Sequence, residues 1–331
     1  MFLSLSKLFA HEVYVLTPDA IDADKHSGNV HLLDALSSSH NLRIFIIASL
    51  LIGGLLGLAL LLKSRTPFQK AGKFIDRAGM VAPDIIRIAF GASLISSAMH
   101  SSLFGPELPL SSLPAEAILR PLLFITGVML IAGLATKLFA FLALGIWFIA
   151  FASQGWYILT YANYLGEAIA TILLPVQLIS LDNLLKKFKL LPKKLGNYHP
   201  EMAMPVARIL FGFSLLYTAV SIKILQPVLT LDTVNKFDLT RVFPFDPLFV
   251  VLGAALSEIL IATLYMLGLL QRVTSVIFLV FMIVSVMFFK ESVWPHYLLI
   301  AFGIGIFLHP PDKLALDHYL FPYRTKKTPV K

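Results

Sequence analysis

The sequence predicts an all-α polytopic integral membrane protein with about nine transmembrane helices. Three observations predict this fold class: 57% of the 331 residues are hydrophobic, only 14% are charged, and the apolar residues form long runs. A soluble domain is about 45–50% apolar and about 25% charged. The composition therefore excludes a water-soluble enzyme, a disordered chain and a nucleic-acid-binding domain.

Nine apolar runs approach the roughly 20 residues that a helix needs to cross a bilayer. They lie at about 44–62, 85–103, 119–136, 138–153, 160–180, 205–225, 247–270, 273–289 and 295–309. The chain has no cysteine, which excludes disulfides, thiolate metal sites and cysteine-ligated iron–sulfur clusters. The histidines match no metal-ligand template, so no metal site is predicted.

The net charge of +8 is explained by the loops between these runs. Of the 27 Lys and Arg residues, 17 fall in loops on one side of the predicted membrane and 8 in loops on the other. Because cytoplasmic loops carry the excess of positive charge, the N-terminus is predicted to face outward and the C-terminus the cytoplasm. An odd number of spans agrees, and the predicted location is the cell (inner) membrane.

An internal repeat divides the chain. The segment Arg87–Ala98 aligns without a gap to Arg208–Ala219, with seven of twelve positions identical at an offset of 121. Gly133 and Gly268 then begin matching segments at an offset of 135. The four spans of each copy begin and end inside, so the copies are predicted to be parallel repeats.

The predicted organisation has six parts. They are an outward segment 1–41, a leading transmembrane helix 42–63, a first unit 64–185 with its cytoplasmic lead-in, a basic cytoplasmic linker 186–204, a second unit 205–312 and a basic cytoplasmic tail 313–331. Residues 1–10 are apolar and resemble a short signal sequence, and whether they are cleaved stays open.

The repeated segments resemble the DoxX family of four-span membrane proteins. The resemblance is carried by Arg208 before a Phe-Gly pair, by Lys223 before Pro227, and by the run from Glu258 to a Gly-Leu-Leu-Gln-Arg ending. It covers roughly residues 80–312, as two DoxX-like units in tandem. The first unit departs from the pattern, with leucine and serine at the positions of Glu258 and Lys223.

The DoxX resemblance implies a membrane subunit of a quinone-linked redox complex, or a membrane anchor for a redox partner. Quinone is the implied cofactor, and a soluble or membrane redox subunit is the implied partner besides the lipid bilayer. Two other classes stay open: a transporter for a small solute or ion, and a non-catalytic scaffold. Whether the chain is itself an enzyme is not decided by its sequence.

Ionisable residues within apolar runs are the candidate site residues, because a charge in a span costs about 2.5–3.5 kcal/mol on insertion scales. Glu258 and Lys223 are the catalytic candidates, as a proton relay and as a hydrogen-bond donor to a quinone carbonyl. The alternative is a structural ion pair between them. The candidate ligand-binding residues are Glu167, His296, Tyr265, Arg87 and Arg208.

These ligand-binding candidates have structural alternatives too. Glu167 follows two tyrosines, and the pattern favours a solvated acid within a belt of tyrosines at the outer membrane surface over a second outward-facing polar site. Arg87 and Arg208 lie near the cytoplasmic ends of their spans, where arginine side chains reach headgroups or pair, as Arg87 would with Asp84.

Overall fold

The computed structural model describes residues 30–113, 116–174, 178–188, 199–289 and 293–321, except for the side chains of 66–69 and 288–289. Within these ranges the chain is helical and contains no strand. Residues 1–10, most of the outward segment, most of the basic linker and the end of the tail lie outside the described residues.

The α-helices of the described residues follow one another as α1 Ser39–Lys63, α2 Thr66–Ala78, α3 Ala82–Met99, α4 Glu116–Ala132, α5 Thr136–Gln154, α6 Ala162–Leu173, α7 Leu181–Lys187, α8 Pro200–Thr218, α9 Pro227–Lys236, α10 Pro247–Leu267, α11 Gln271–Phe289, α12 Trp294–Leu308 and α13 Leu316–Leu320. Helix α8 begins before the predicted start of the second unit at residue 205. Proline is favoured in the first helical turn, so Pro200 extends the helix toward the linker.

Five helical runs of the described chain are long and apolar enough to cross a membrane: Ser39–Lys63, Lys70–Met99, Thr136–Leu173, Pro200–Ile224 and Pro247–Leu267. The 38-residue run Thr136–Leu173 is interrupted at Gly155, which has a φ of +64°. Its two parts are α5 and α6, which pack against each other. Two further apolar helices, Gln271–Met287 and Trp294–Leu308, are shorter.

Helix α1 stands apart from the other helices. None of its apolar span is buried against protein, whereas half of the span within Lys70–Met99 is. Only its ends are held: Asn41 Nδ2 donates to the carbonyl of Ala35 at 2.9 Å, and Lys63 forms an ion pair with Asp317. The apolar sides of α1 are therefore free to contact lipid.

The first two helices of each unit approach closely through small residues. A Cβ on Gly91 of α3 would lie 2.6 Å from the carbonyl oxygen of Gly127 of α4. A Cβ on Gly212 of α8 would lie 2.8 Å from the carbonyl oxygen of Ala262 of α10. Glycine is required where helix backbones come this near, so the repeated Phe-Gly pair marks a close helix contact in each unit.

The two units join reciprocally. Helix α6, the last of the first unit, packs against α8, the first of the second unit, and α12 packs in the same way against α3. Small residues again allow the contact, since a Cβ on Gly166 would approach Leu210 to 2.9 Å and one on Gly305 would approach Ile86 to 2.6 Å. The functional candidates of the two units therefore lie in one bundle.

Two aspartates that lie 135 residues apart cap the starts of helices α5 and α11. Asp182 accepts hydrogen bonds from the backbone N–H groups of Ala135 and Thr136, at 2.9 and 3.0 Å. Asp317 does the same at the start of α11, at 2.8 and 2.9 Å. The carboxylates satisfy N–H groups that have no partner inside the helix.

Candidate functional site

Lys223 lies where α8 continues in π-helical geometry. The π-helix covers Ala219–Ile224, and the backbone N–H of Leu225 donates to the carbonyl of Val220, five residues earlier, at 3.0 Å. Turns of π-helix are rare in proteins, and many of those that occur lie at functional sites. This turn packs against α10, so the widened backbone brings Lys223 to the helix that carries Glu258.

Glu258 lies about midway along α10 and accepts a hydrogen bond from Lys223. Nζ and Oε2 are 2.7 Å apart, and the two side chains are 11% and 16% exposed. Helix α10 has a sharp start, because Asp246 accepts from the backbone N–H of Leu248 at 3.0 Å and proline follows at the first helical position. The pair is neutral as a unit, which reduces the cost of holding both charges among apolar residues.

The ion pair lines a cavity of about 510 Å³. The walls come from α8, α9, α10, α11 and α12 and from the loop between α9 and α10. Besides Lys223, Glu258 and His296, the polar lining consists of five hydroxyl residues: Thr218, Thr230, Thr233, Ser257 and Ser285. The rest is largely apolar and includes Phe243, Phe245, Phe249, Phe278 and Phe281. An apolar cavity of this volume with a few polar groups at one place is typical of small-molecule sites.

His296 reaches the cavity from the first turn of α12, and its side chain is almost fully buried. The turn is anchored to the first unit. Trp294 Nε1 donates to the carbonyl of Phe104 at 3.1 Å, and the Trp294 ring stacks on His100 with centroids 4.7 Å apart. These contacts between units fix the end of α12 that carries His296.

The matching place in the first unit carries no such pair. Offsets of 121 and 135 relate Lys223 to Ser102 and Glu258 to Leu123. Leu123 is fully buried in an apolar cluster that includes Leu103 and Phe104 of the loop after α3. At the places of the ion pair, the first unit thus has an apolar side chain and a serine whose hydroxyl donates to the carbonyl of His100 at 3.3 Å.

Arg87 is buried in the first unit and does not line the cavity. Its guanidinium donates to the carbonyls of Leu130 and of Ile131, the latter at 3.0 Å, and to Asp84 Oδ1 at 3.1 Å. The interpretation that Arg87 reaches lipid headgroups is wrong, because the side chain has no exposed surface. The guanidinium instead binds the end of α4 to α3.

Arg208 makes the corresponding contacts in the second unit. It donates to the carbonyls of Tyr265 and of Met266, the latter at 2.7 Å, and to both oxygens of Asp312, at 2.8 and 3.1 Å. Since Arg208 is 1% exposed, it also does not reach headgroups. Each carbonyl that Arg208 binds lies 135 residues after the corresponding carbonyl that Arg87 binds. Gly133 and Gly268, which follow α4 and α10, are related by the same offset.

Tyr265 lies in the core of the second unit rather than at the cavity. Its side chain has no exposed surface, its hydroxyl donates to Ser275 Oγ at 3.2 Å, and its ring packs edge-on to Phe211 with centroids 5.2 Å apart. The structure therefore separates Tyr265 from the ion pair that lies two turns earlier on α10.

Glu167 is the most isolated acid of the described residues. It is 1% exposed, and neither carboxyl oxygen has a hydrogen-bond partner among those residues. The alternative of a solvated surface acid is wrong, because α6 is covered by α3, α5 and α8. Glu167 does not line the cavity, so only three of the seven candidates, Lys223, Glu258 and His296, come together there.

Sequence reasoning missed the side of the cavity formed by α9 and the loop after it. Thr230 and Thr233 of α9 and Phe243 and Phe245 of the loop lie in the segment by which the second unit exceeds the first. The difference of 14 residues between the two repeat offsets was a signal for an added element at this place. It did not indicate that the element would line a cavity.

Comparison with protein-family models, with curated protein sequences and with solved structures finds no match to this chain.

Proposed function

We propose that this chain is a nine-span protein of the cell membrane built from two DoxX-like four-helix units, with an outward N-terminus. The matched contacts of Arg87 and Arg208 support a duplicated unit, since each binds two carbonyls at the end of the second helix of its unit. The reciprocal packing of α6 on α8 and of α12 on α3 is what parallel repeats about a common axis would give.

The second unit binds a quinone, as the membrane subunit or membrane anchor of a redox complex. The observation that carries this proposal is the cavity of about 510 Å³ in which Lys223, Glu258 and His296 meet largely apolar walls. A quinone has an apolar ring and hydrogen-bond-accepting carbonyl oxygens. The phenylalanine-rich walls fit the ring, and the ammonium of Lys223 fits a carbonyl.

The polar residues fit the protons that quinone chemistry requires. A bound quinone accepts two electrons and two protons, and the electrons would come from a soluble or membrane redox subunit. Lys223 can donate a hydrogen bond to an acceptor oxygen in the cavity. Glu258, 2.7 Å from the ammonium, can hold or release a proton beside that oxygen, and His296 supplies a second titratable group.

Quinone binding by the purified protein tests the proposal. Protein in dodecyl maltoside is titrated with decyl-substituted benzoquinone, and binding is compared for the wild type, Lys223→Met, Glu258→Gln and the control Arg241→Gln. Arg241 is 84% exposed and does not line the cavity.

We expect Lys223→Met to weaken binding about tenfold or more, because it removes a charge-assisted hydrogen bond worth about 1.5–3 kcal/mol. Glu258→Gln should also weaken binding, because the Lys223 ammonium loses the carboxylate that positions it. The control should bind like the wild type. A wild-type protein that does not bind the quinone would refute the proposal, and so would equal binding by all four proteins.

A further inference from the structure

The cavity lies between two helices that are neighbours in the chain but touch little. Helices α10 and α11 contact each other less than α11 and α12 do. The cavity is lined by Gly253 and Ser257 in the first half of α10 and by Met282 and Val284 in the second half of α11. In two antiparallel neighbours these halves face each other, so the helices separate there.

Several residues that line the cavity are exposed at this separation. Gly253 and Ser257 are exposed on α10, Val284 is 40% exposed on α11, and Phe243 is 44% exposed on the loop. A Cβ added to Gly253 would meet no atom within 4 Å. The cavity therefore opens to the side of the bundle at a cleft between α10 and α11.

The surface around this cleft is apolar. Leu256 on α10 and Val280, Ile283 and Met287 on α11 are all exposed large apolar side chains on the two helices that flank the cleft. By contrast, the loop above it carries the highly exposed Arg241, paired with Asp238. The charged loop marks the water-facing end of the helices, while the cleft lies among side chains suited to lipid.

We propose that the cleft between α10 and α11 is a lateral portal through which a lipid-soluble ligand enters from the bilayer, with its apolar tail lying in the cleft and its polar head at Lys223 and Glu258. This inference rests on the proposed function and adds the ligand class and its route: a single-tailed amphiphile that never passes through water. The volume of about 510 Å³ holds a ring-sized head, and a longer tail must leave through the cleft.

The environment of the cleft can be tested without any ligand. Because the chain has no cysteine, one nitroxide label can be attached to Ser257→Cys, with Val280→Cys as the lipid-facing control and Arg241→Cys as the water-facing control. Collision rates with oxygen and with a water-soluble nickel chelate are measured in nanodiscs. We expect the label at 257 to match the one at 280. A label at 257 that behaves like the one at 241 would overturn the portal.

The route is tested by filling the cleft. Gly253→Phe puts a side chain into open space at the cleft, and Gly145→Phe puts one into open space on α5, outside the cavity. We expect Gly253→Phe to weaken binding of decyl-substituted benzoquinone at least tenfold and Gly145→Phe to leave it unchanged. Equal binding by both variants would overturn the route.

The quinone titration and the spin-label measurement together distinguish the proposed function from the proposed portal. If the wild type does not bind the quinone, the proposed function fails, while the spin labels still decide whether the cleft opens to lipid. If the wild type binds and the label at 257 reports water, the proposed function survives and the portal is wrong. A Gly253→Phe protein that fails to fold leaves the label measurement as the deciding one.

Discussion

Neutralising one member of the Lys223–Glu258 pair should destabilise the protein more than neutralising both. At a separation of 2.7 Å, the attraction is about 6 kcal/mol for an effective dielectric constant of about 20 and about 1.5 kcal/mol in water. The side chains are 11% and 16% exposed, so their environment lies between these limits. Removing one partner leaves an unpaired charge among apolar walls, which costs about 3 kcal/mol.

A double-mutant cycle measures this coupling. The free energy of unfolding is obtained from titrations with sodium dodecyl sulfate for Lys223→Met, Glu258→Gln and the double variant. We expect the double variant to lose less than either single variant, so that its loss is at least about 3 kcal/mol smaller than the sum of the single losses. The exposed pair Arg241–Asp238 is the matched control, and its coupling should stay below about 1 kcal/mol. Additive losses at Lys223 and Glu258 would show that the two charges do not stabilise each other.

Three other substitutions, and one control substitution, test the interior contacts by the same unfolding measurement. Arg208→Met leaves the buried carboxylate of Asp312 unpaired and should cost about 3–5 kcal/mol, whereas a loss below about 1 kcal/mol would contradict its role in joining α8 and α10. Gly91→Val forces a side chain against a backbone oxygen of α4 and should cost about 3 kcal/mol, while Gly145→Ala, which meets no atom within 4 Å, should be neutral within about 0.5 kcal/mol. Glu167→Gln should change stability by less than about 1 kcal/mol, because neither carboxyl oxygen accepts a hydrogen bond that the amide of similar size would lose; a loss of several kcal/mol would contradict this.

The helices could be predicted from the sequence because apolar run length is a local property. The run at 247–270 corresponds to Pro247–Leu267, and the leading run at 44–62 lies within Ser39–Lys63. That these runs cross a bilayer stays a prediction for the shorter helices. Their ends depend on contacts from elsewhere in the chain, such as Asp182 at the start of α5, which sequence periodicity does not show.

The candidate site could be predicted in part. Lys223, Glu258 and His296 attracted attention because ionisable groups are rare in apolar runs, and the structure brings them to one cavity. The same rule selected Arg208 and Glu167, which are buried elsewhere. The presence of an ionisable residue in an apolar run does not show whether that side of the helix lines a cavity. The partner of Arg208, Asp312, lies 104 residues away, and such a distant contact requires the fold.

The most direct test of the central claim is photoaffinity labelling with an azido-substituted quinone in native membranes, followed by mass spectrometry of the labelled peptides. We expect labels on the walls of the second-unit cavity, in α8, α10 or α11, and loss of these labels when unmodified quinone is added in excess. Labels confined to α1 or to the first unit would contradict it.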